Sequence, residues 1–212
     1  MLFRSGQASG GTREPAPDGR PRIVVLGDSL TAGLGVAQAE AFPSVLQRRI
    51  DAEQLNYLVV NAGVSGDTSA GGLRRLSWSL DGNVRILVVA LGGNDGLRGV
   101  PVDELQRNLT DIIEGARSRG IAVVLAGMEA PPNFGRAYGQ AFHEVYQTLA
   151  RRPDVAFVPF LLDRVAGIDR LNQPDGIHPT AEGAQVVADN VWNVLADVVR
   201  ADAARQSKGA GR

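Results

Sequence analysis

The chain has 212 residues, 44% apolar and 21% charged, with a formal net charge of −1. That length supports one well-buried domain and is short for two. With no basic stripe and no acidic block, the composition offers nothing to nucleic acid; the Arg74-Arg75 and Arg151-Arg152 pairs are isolated and read as solvated helix faces. The absence of cysteine excludes disulfides, a thiolate nucleophile and cysteine metal sites. The longest apolar runs, such as 86–91, fall far short of the ~20 residues that span a bilayer.

Residues 1–21 carry Leu2 and Phe3 but no extended apolar stretch, so they lack the core of a signal peptide and read as a flexible leader or the remnant of a trimmed export signal. Short β-rich runs then alternate with helical ones over residues 22–200, which form the single domain. Strands are predicted at 22–26, 57–61, 85–91, 121–126 and 155–158. Helices are predicted at 43–54, 68–80, 103–119, 137–151 and 180–200. The third shows its buried face plainly, with Leu105, Leu109, Ile112, Ile113 and Ala116 at helical spacing. Asp103 with Gln106 gives it a plausible N-terminal cap and Gly120 a stop. Beyond Arg200 the apolar periodicity is lost, and residues 201–212 are expected to be a mobile tail.

Strands this continuously apolar are covered on both faces, as in a parallel sheet between helical layers. The βαβ alternation therefore predicts an α/β fold of three layers, α/β/α, with five strands. Such sheets bind ligands beyond the carboxyl ends of their strands. Chemistry is expected just after Leu26, Asn61, Leu91 and Ala126.

Polar residues stand at three of these places. The first strand runs into Gly27-Asp28-Ser29-Leu30, where Ser29 can present its hydroxyl to a cleft, or simply cap the following helix. The second leads into Ser65-Gly66-Asp67-Thr68, whose glycine can expose a backbone N–H, or form an ordinary loop. The third ends in Gly92-Gly93-Asn94-Asp95. The Asn94 amide can donate to developing negative charge without titrating, although Asn-Asp-Gly is also a common turn. Near the C-terminus Asp175 precedes His178 by three residues in a loop bounded by Gly176 and Pro179. An aspartate there can fix the imidazole while its other nitrogen takes a proton from a serine. His143, the second of two histidines, lies within a predicted helix and reads as a surface or boundary side chain.

Other chemistries fail on inspection. His143-Glu144-Val145-Tyr146-Gln147 lacks the second histidine of a zinc-protease helix. Asp175 and His178 are too few for a metal site. No phosphate loop or dinucleotide fingerprint is complete, and no Gly-x-Ser-x-Gly elbow occurs.

Taken in order, GDSL at 27–30, SGDT at 65–68, GGND at 92–95 and DGIHP at 175–179 resemble the four blocks of the SGNH/GDSL hydrolases. The resemblance covers residues 22–200. GGNDGLRG at 92–99 and PPNFGRAY at 131–138 are similar to the bacterial subgroup of multifunctional thioesterases, lysophospholipases and arylesterases. The resemblance implies a flavodoxin-like, mostly parallel five-stranded sheet and a catalytic triad of Ser29, His178 and Asp175. It implies an oxyanion hole from the Ser29 and Gly66 N–H groups and the Asn94 amide, with Asp28 supporting the loop. It also implies that no cofactor or metal is needed. The expected substrate is a small carboxylic ester of short to medium chain length, with thioesters or lysophospholipids alongside. Leu97, Val100, Pro131 and Phe134 are candidates to line an acyl groove, or else pack the loops against one another. Members of the subgroup are often exported to the periplasm; without a complete signal, a cytoplasmic location stays open. A carbohydrate acetylesterase on the same fold is the alternative, and a non-catalytic binding module a remoter one.

Overall fold

A computed structural model describes residues 19–210 of the chain; residues 1–18, most of the expected leader, lie outside the described residues. Five strands form one sheet: β1 (Arg22–Gly27), β2 (Leu58–Gly63), β3 (Val84–Ala90), β4 (Ala122–Ala126) and β5 (Val155–Val158). All neighbouring pairs are parallel. Their order is β2-β1-β3-β4-β5, the flavodoxin-like order, and the direction of winding reverses between β1 and β3. The site is expected above that reversal.

The residues of the central strands explain their place. Ile23–Leu26 and Ile86–Val89 are at most 1% exposed, so both faces of β1 and β3 must meet helices. Each such aliphatic side chain contributes about 1.5–3 kcal/mol when fully buried. On one face lie α2 (Phe42–Ala52) and the long α7 (Ala181–Ala210). On the other lie α3 (Ser69–Ser79), α5 (Val102–Arg117) and α6 (Gly135–Ala150). The five apolar residues read as the inner stripe of α5 are all fully buried. Among the described residues no helix is long and apolar enough to cross a membrane.

Four details depart from the sequence reading. Two short helices, α1 (Ser29–Ala32) and α4 (Gly93–Arg98), follow β1 and β3; with four and six residues they are too short to show a period. The N-cap of α5 is Pro101, which has no capping side chain, and Asp103 sits in the first turn, where its charge favours the helix's positive end. Strand β2 begins at Leu58, after Tyr57, whose ring is buried. Finally, α7 continues to Ala210 where a tail was expected after Arg200. Its extension is held by Asp202, 2% exposed, which accepts from Tyr57 Oη at 2.7 Å and Arg85 Nη2 at 2.9 Å.

Candidate active site

The loop after β1 is forced into a tight course. A Cβ on Gly27 would stand 1.9 Å from Thr31 Oγ1 and 2.8 Å from the Ala90 carbonyl, so only glycine lets α1 start this close to β3. Asp28 Oδ1 accepts the Leu30 N–H at 3.0 Å and caps α1. Capping is thus the work of Asp28, and Ser29 is left with its hydroxyl in the cleft.

The loop between β5 and α7 brings the base. Ser29 Oγ lies 2.8 Å from His178 Nε2, across 149 positions of sequence. His178 Nδ1 lies 2.7 Å from Asp175 Oδ2. The other oxygen of Asp175 accepts the N–H groups of Ile177 at 2.9 Å and His178 at 3.0 Å. The His178 N–H, then the His178 ring, then the Ile177 N–H lower the Asp175 pKa to about 2. An ionised carboxylate only accepts, so Nδ1 carries the proton and Nε2 of the neutral ring is free to accept from Ser29. Gln173, which the sequence reading passed over, ties this loop to the nucleophile's loop: its Nε2 donates to the Leu34 carbonyl at 2.7 Å and the Pro179 carbonyl at 2.9 Å.

The second and third loops are locked to each other. Gly66 has φ of +83°, a conformation open to glycine at little cost, and its carbonyl accepts Arg98 Nη2 at 2.8 Å. Asp95, 1% exposed, accepts both the N–H of Ser69 (2.8 Å) and its hydroxyl (2.6 Å). Arg75 joins Asp67 Oδ2 at 2.6 Å to the Gly27 carbonyl at 2.8 Å. Asn94 Nδ2 donates to the Asp67 carbonyl at 3.0 Å and, more loosely, to Asp28 Oδ2 at 3.2 Å. The amide expected to face an oxyanion is therefore held from two sides. An incoming oxygen must share the longer of those bonds.

Asp28 is the anomalous charge here. Burial, only partly offset by the Leu30 N–H, the Asn94 amide and the field of His178, raises its pKa to about 6.

These loops enclose a cleft of about 450 Å³, within the range of small-molecule sites. Ser29, Gly66, Asn94 and His178 all face it, and Asp175 stands behind His178. Of the four groove candidates, Leu97 and Pro131 line it; Val100 and Phe134 do not. Phe134 packs on Tyr138 with ring centroids 5.4 Å apart, and the Val100 carbonyl accepts the Tyr138 hydroxyl at 2.8 Å. Phe134 thus serves loop packing, the other role open to it, and the Val100 backbone anchors Tyr138. The groove is completed by Leu34, Met128, Phe160, Leu162 and Ile177, whose direction no sequence period reveals. His143 sits at the boundary, half exposed, with Nδ1 2.7 Å from Glu129 Oε1. No group of three or more potential metal ligands occurs among the described residues.

A serine, an imidazole and a carboxylate in hydrogen-bonded sequence above the β1/β3 reversal of an α/β/α sandwich is the arrangement of a class, the hydrolases that work through a serine. Comparison with known proteins narrows it. The model of the GDSL-like Lipase/Acylhydrolase family matches residues 25–186, and the chain belongs to that family. It is 43% identical over 174 residues to Esterase TesA of Pseudomonas aeruginosa, covering 82% of this chain and 87% of that protein. To Thioesterase 1/protease 1/lysophospholipase L1 of Escherichia coli it is 36% identical over 181 residues, covering 85% and 86%. Among solved structures, the esterase AlinE4, an SGNH hydrolase, superposes with a TM-score of 0.70 at 40% identity, covering 84% of this chain and 96% of that one. The chain is accordingly a carboxylic ester hydrolase acting on small molecules.

Proposed function

We propose that Ser29 is the nucleophile of an acyl-transfer cycle and that this enzyme hydrolyses short- to medium-chain esters, thioesters among them. The observation that carries the reading is the unbroken path Ser29 Oγ, His178, Asp175, with links of 2.8 and 2.7 Å. Ser29 attacks the carbonyl carbon while Nε2 of His178 takes its proton. Asp175, kept ionised by backbone donors, stabilises the imidazolium that results. The carbonyl oxygen becomes an anion received by the N–H groups of Ser29 and Gly66, neither engaged by a backbone carbonyl among the described residues, and by the Asn94 amide. The imidazolium returns its proton to the leaving group, which departs and leaves an acyl-serine. Water, deprotonated by His178, then attacks the acyl carbon; the bond to Ser29 Oγ breaks, His178 returns the proton to that oxygen, and the acid is released.

The apolar lining favours an acyl chain. The only aromatic carbocycle among the lining residues is Phe160, which speaks against a sugar-stacking site and so against the acetylesterase alternative.

Ser29→Ala tests the reading. Turnover of p-nitrophenyl esters is expected to fall below about one per cent of wild type, a loss in keeping with removal of a triad member, with thermal melting unchanged and labelling by a fluorophosphonate lost. Residual activity well above that level in a folded variant would overturn the assignment.

A further inference from the structure

The cleft is apolar except at a few places, and its charge is one-sided. The charged or titratable side chains lining it are Asp28, His178 and Glu129. The first two belong to the proposed machinery. Glu129 does not. It follows β4 on the loop that carries Met128 and Pro131, and with Ala130 it forms a ridge facing two ways, into the cleft and into a neighbouring hollow on α6. The hollow carries Arg136 and Glu144, one charge of each sign. Glu129 is 43% exposed, and its Oε1 lies 2.7 Å from His143 Nδ1. No lysine or arginine lines the cleft among the described residues; Arg98, at the rim, donates to the Gly66 carbonyl.

A half-exposed carboxylate at the edge of an apolar cleft acts on any charge the substrate brings within a few ångströms of it. Attraction or repulsion between unit charges a few ångströms apart, under partial solvent screening, changes binding by about three- to tenfold. An apolar acyl chain is indifferent to it. A charged group on the alcohol or thiol portion is not.

Building on the catalytic reading above, we propose that Glu129 sets substrate charge preference, so that the enzyme takes esters and thioesters with neutral or cationic leaving groups and discriminates against anionic ones such as acyl-coenzyme A. The discrimination is against the phosphates and not against the thioester bond, which the oxyanion hole treats like an ester.

Two substrate pairs vary the charge of the leaving group, the first at constant shape. Butyrylcholine and 3,3-dimethylbutyl butyrate differ by a quaternary nitrogen in place of carbon. Butyryl-coenzyme A and butyryl-N-acetylcysteamine share the thioester and its cysteamine amide, and only the first carries the phosphates, with the rest of the coenzyme. In wild type, kcat/KM is expected to favour the choline ester over its carbon isostere, and the short thioester over the coenzyme A thioester, by about three- to tenfold each. Glu129→Gln should bring the choline ratio toward one and lower the thioester ratio, Glu129→Lys should invert the choline ratio and lower the thioester ratio further, and high salt should shrink both in wild type. Ratios that stay the same in all three proteins overturn the role of Glu129. Ser29→Ala, assayed on the same substrates, keeps the two questions apart: turnover that survives it removes the nucleophile assignment, whereas ratios that move with residue 129 support the charge preference in either case.

Discussion

Two aspartates, Asp28 and Asp202, are each 2% exposed, yet they sit at opposite ends of the sheet and behave in opposite ways. At Asp202 burial by itself would raise the pKa, but Arg85, Tyr57 and Gln206 all donate to the carboxylate and the net pKa is lowered. At Asp28 the donors are one backbone N–H and one amide, with no cation in contact, and burial wins. The first arrangement welds the end of α7 to the start of β3 and to Tyr57. The second leaves a carboxylate under-compensated beside Ser29 and Asn94. One end of the sheet is built for stability; the other tolerates a costly charge where the chemistry lies, the distribution expected when a functional site stores unfavourable terms that the rest of the fold offsets.

The sharpest way to break this contrast is to remove Asn94 from the catalytic end. Asn94→Ala is expected to lower kcat by about 10²–10³, or roughly 2.7–4 kcal/mol in the barrier, with much less change in KM. The amide donates to charge that develops only in the transition state. The shape of the pH–rate profile should persist, because an amide does not titrate. A variant whose KM alone rises would make Asn94 a ground-state binding residue.

At the other end, Asp202→Ala should cost stability and spare chemistry. It strands Arg85, Tyr57 and Gln206 without their acceptor, a loss of roughly 2–4 kcal/mol readable in denaturant or thermal melts. In a temperature range where the variant is folded, kcat should match wild type. A large fall in kcat there would mean that the two ends are coupled and the division of labour is mistaken.

The smallest effect is in pH. The native state binds the Asp28 proton with a pKa of about 6, above the ordinary 3.8. Between those values the native state holds more protons than the unfolded chain, so this group makes stability fall as pH rises and recover as pH falls. Compared with Asp28→Asn, wild type should gain on the order of 1–3 kcal/mol on acidification from about pH 6.5 to 4. Asp175, whose pKa is lowered to about 2, works the other way, its stabilisation being lost toward pH 2; being present in both proteins, it cancels in the difference. Melting curves that shift in parallel would show that Asp28 is not the group that titrates.

Much of the catalytic end was legible from sequence because parallel sheets place functional loops at one edge, and the four motif blocks fall at or beside those loops. Ser29 and Asn94 needed little more than strand ends to be found, and His178 was marked by Asp175 three residues before it in a loop bounded by Gly176 and Pro179. The opposite end was not legible. Residues 201–210 are rich in alanine with Arg205 and Lys208, a composition that suits a helix as well as a tail. What decides between them is Asp202 meeting Arg85, 117 positions away. For Val100 and Phe134 the sequence left two roles open for a related reason. They flank cleft residues in sequence, but the direction of a loop side chain depends on its packing partner, which for Phe134 is Tyr138. Glu129 gave no signal because a lone glutamate after a strand is ordinary until the cleft beside it is seen to lack cations.

The 149 positions between Ser29 and His178 also order events in time. A ribosome delivers the nucleophile's loop among the first segments and the imidazole among the last. On the proposed mechanism, until residue 178 has emerged and its loop has closed onto the loop after β1, the nascent chain holds a serine with no base, and fragments ending earlier should be inert toward esters. Activity would then appear only once the loop ahead of α7 has docked, so its gain reports the late assembly of the sheet's carboxyl edge.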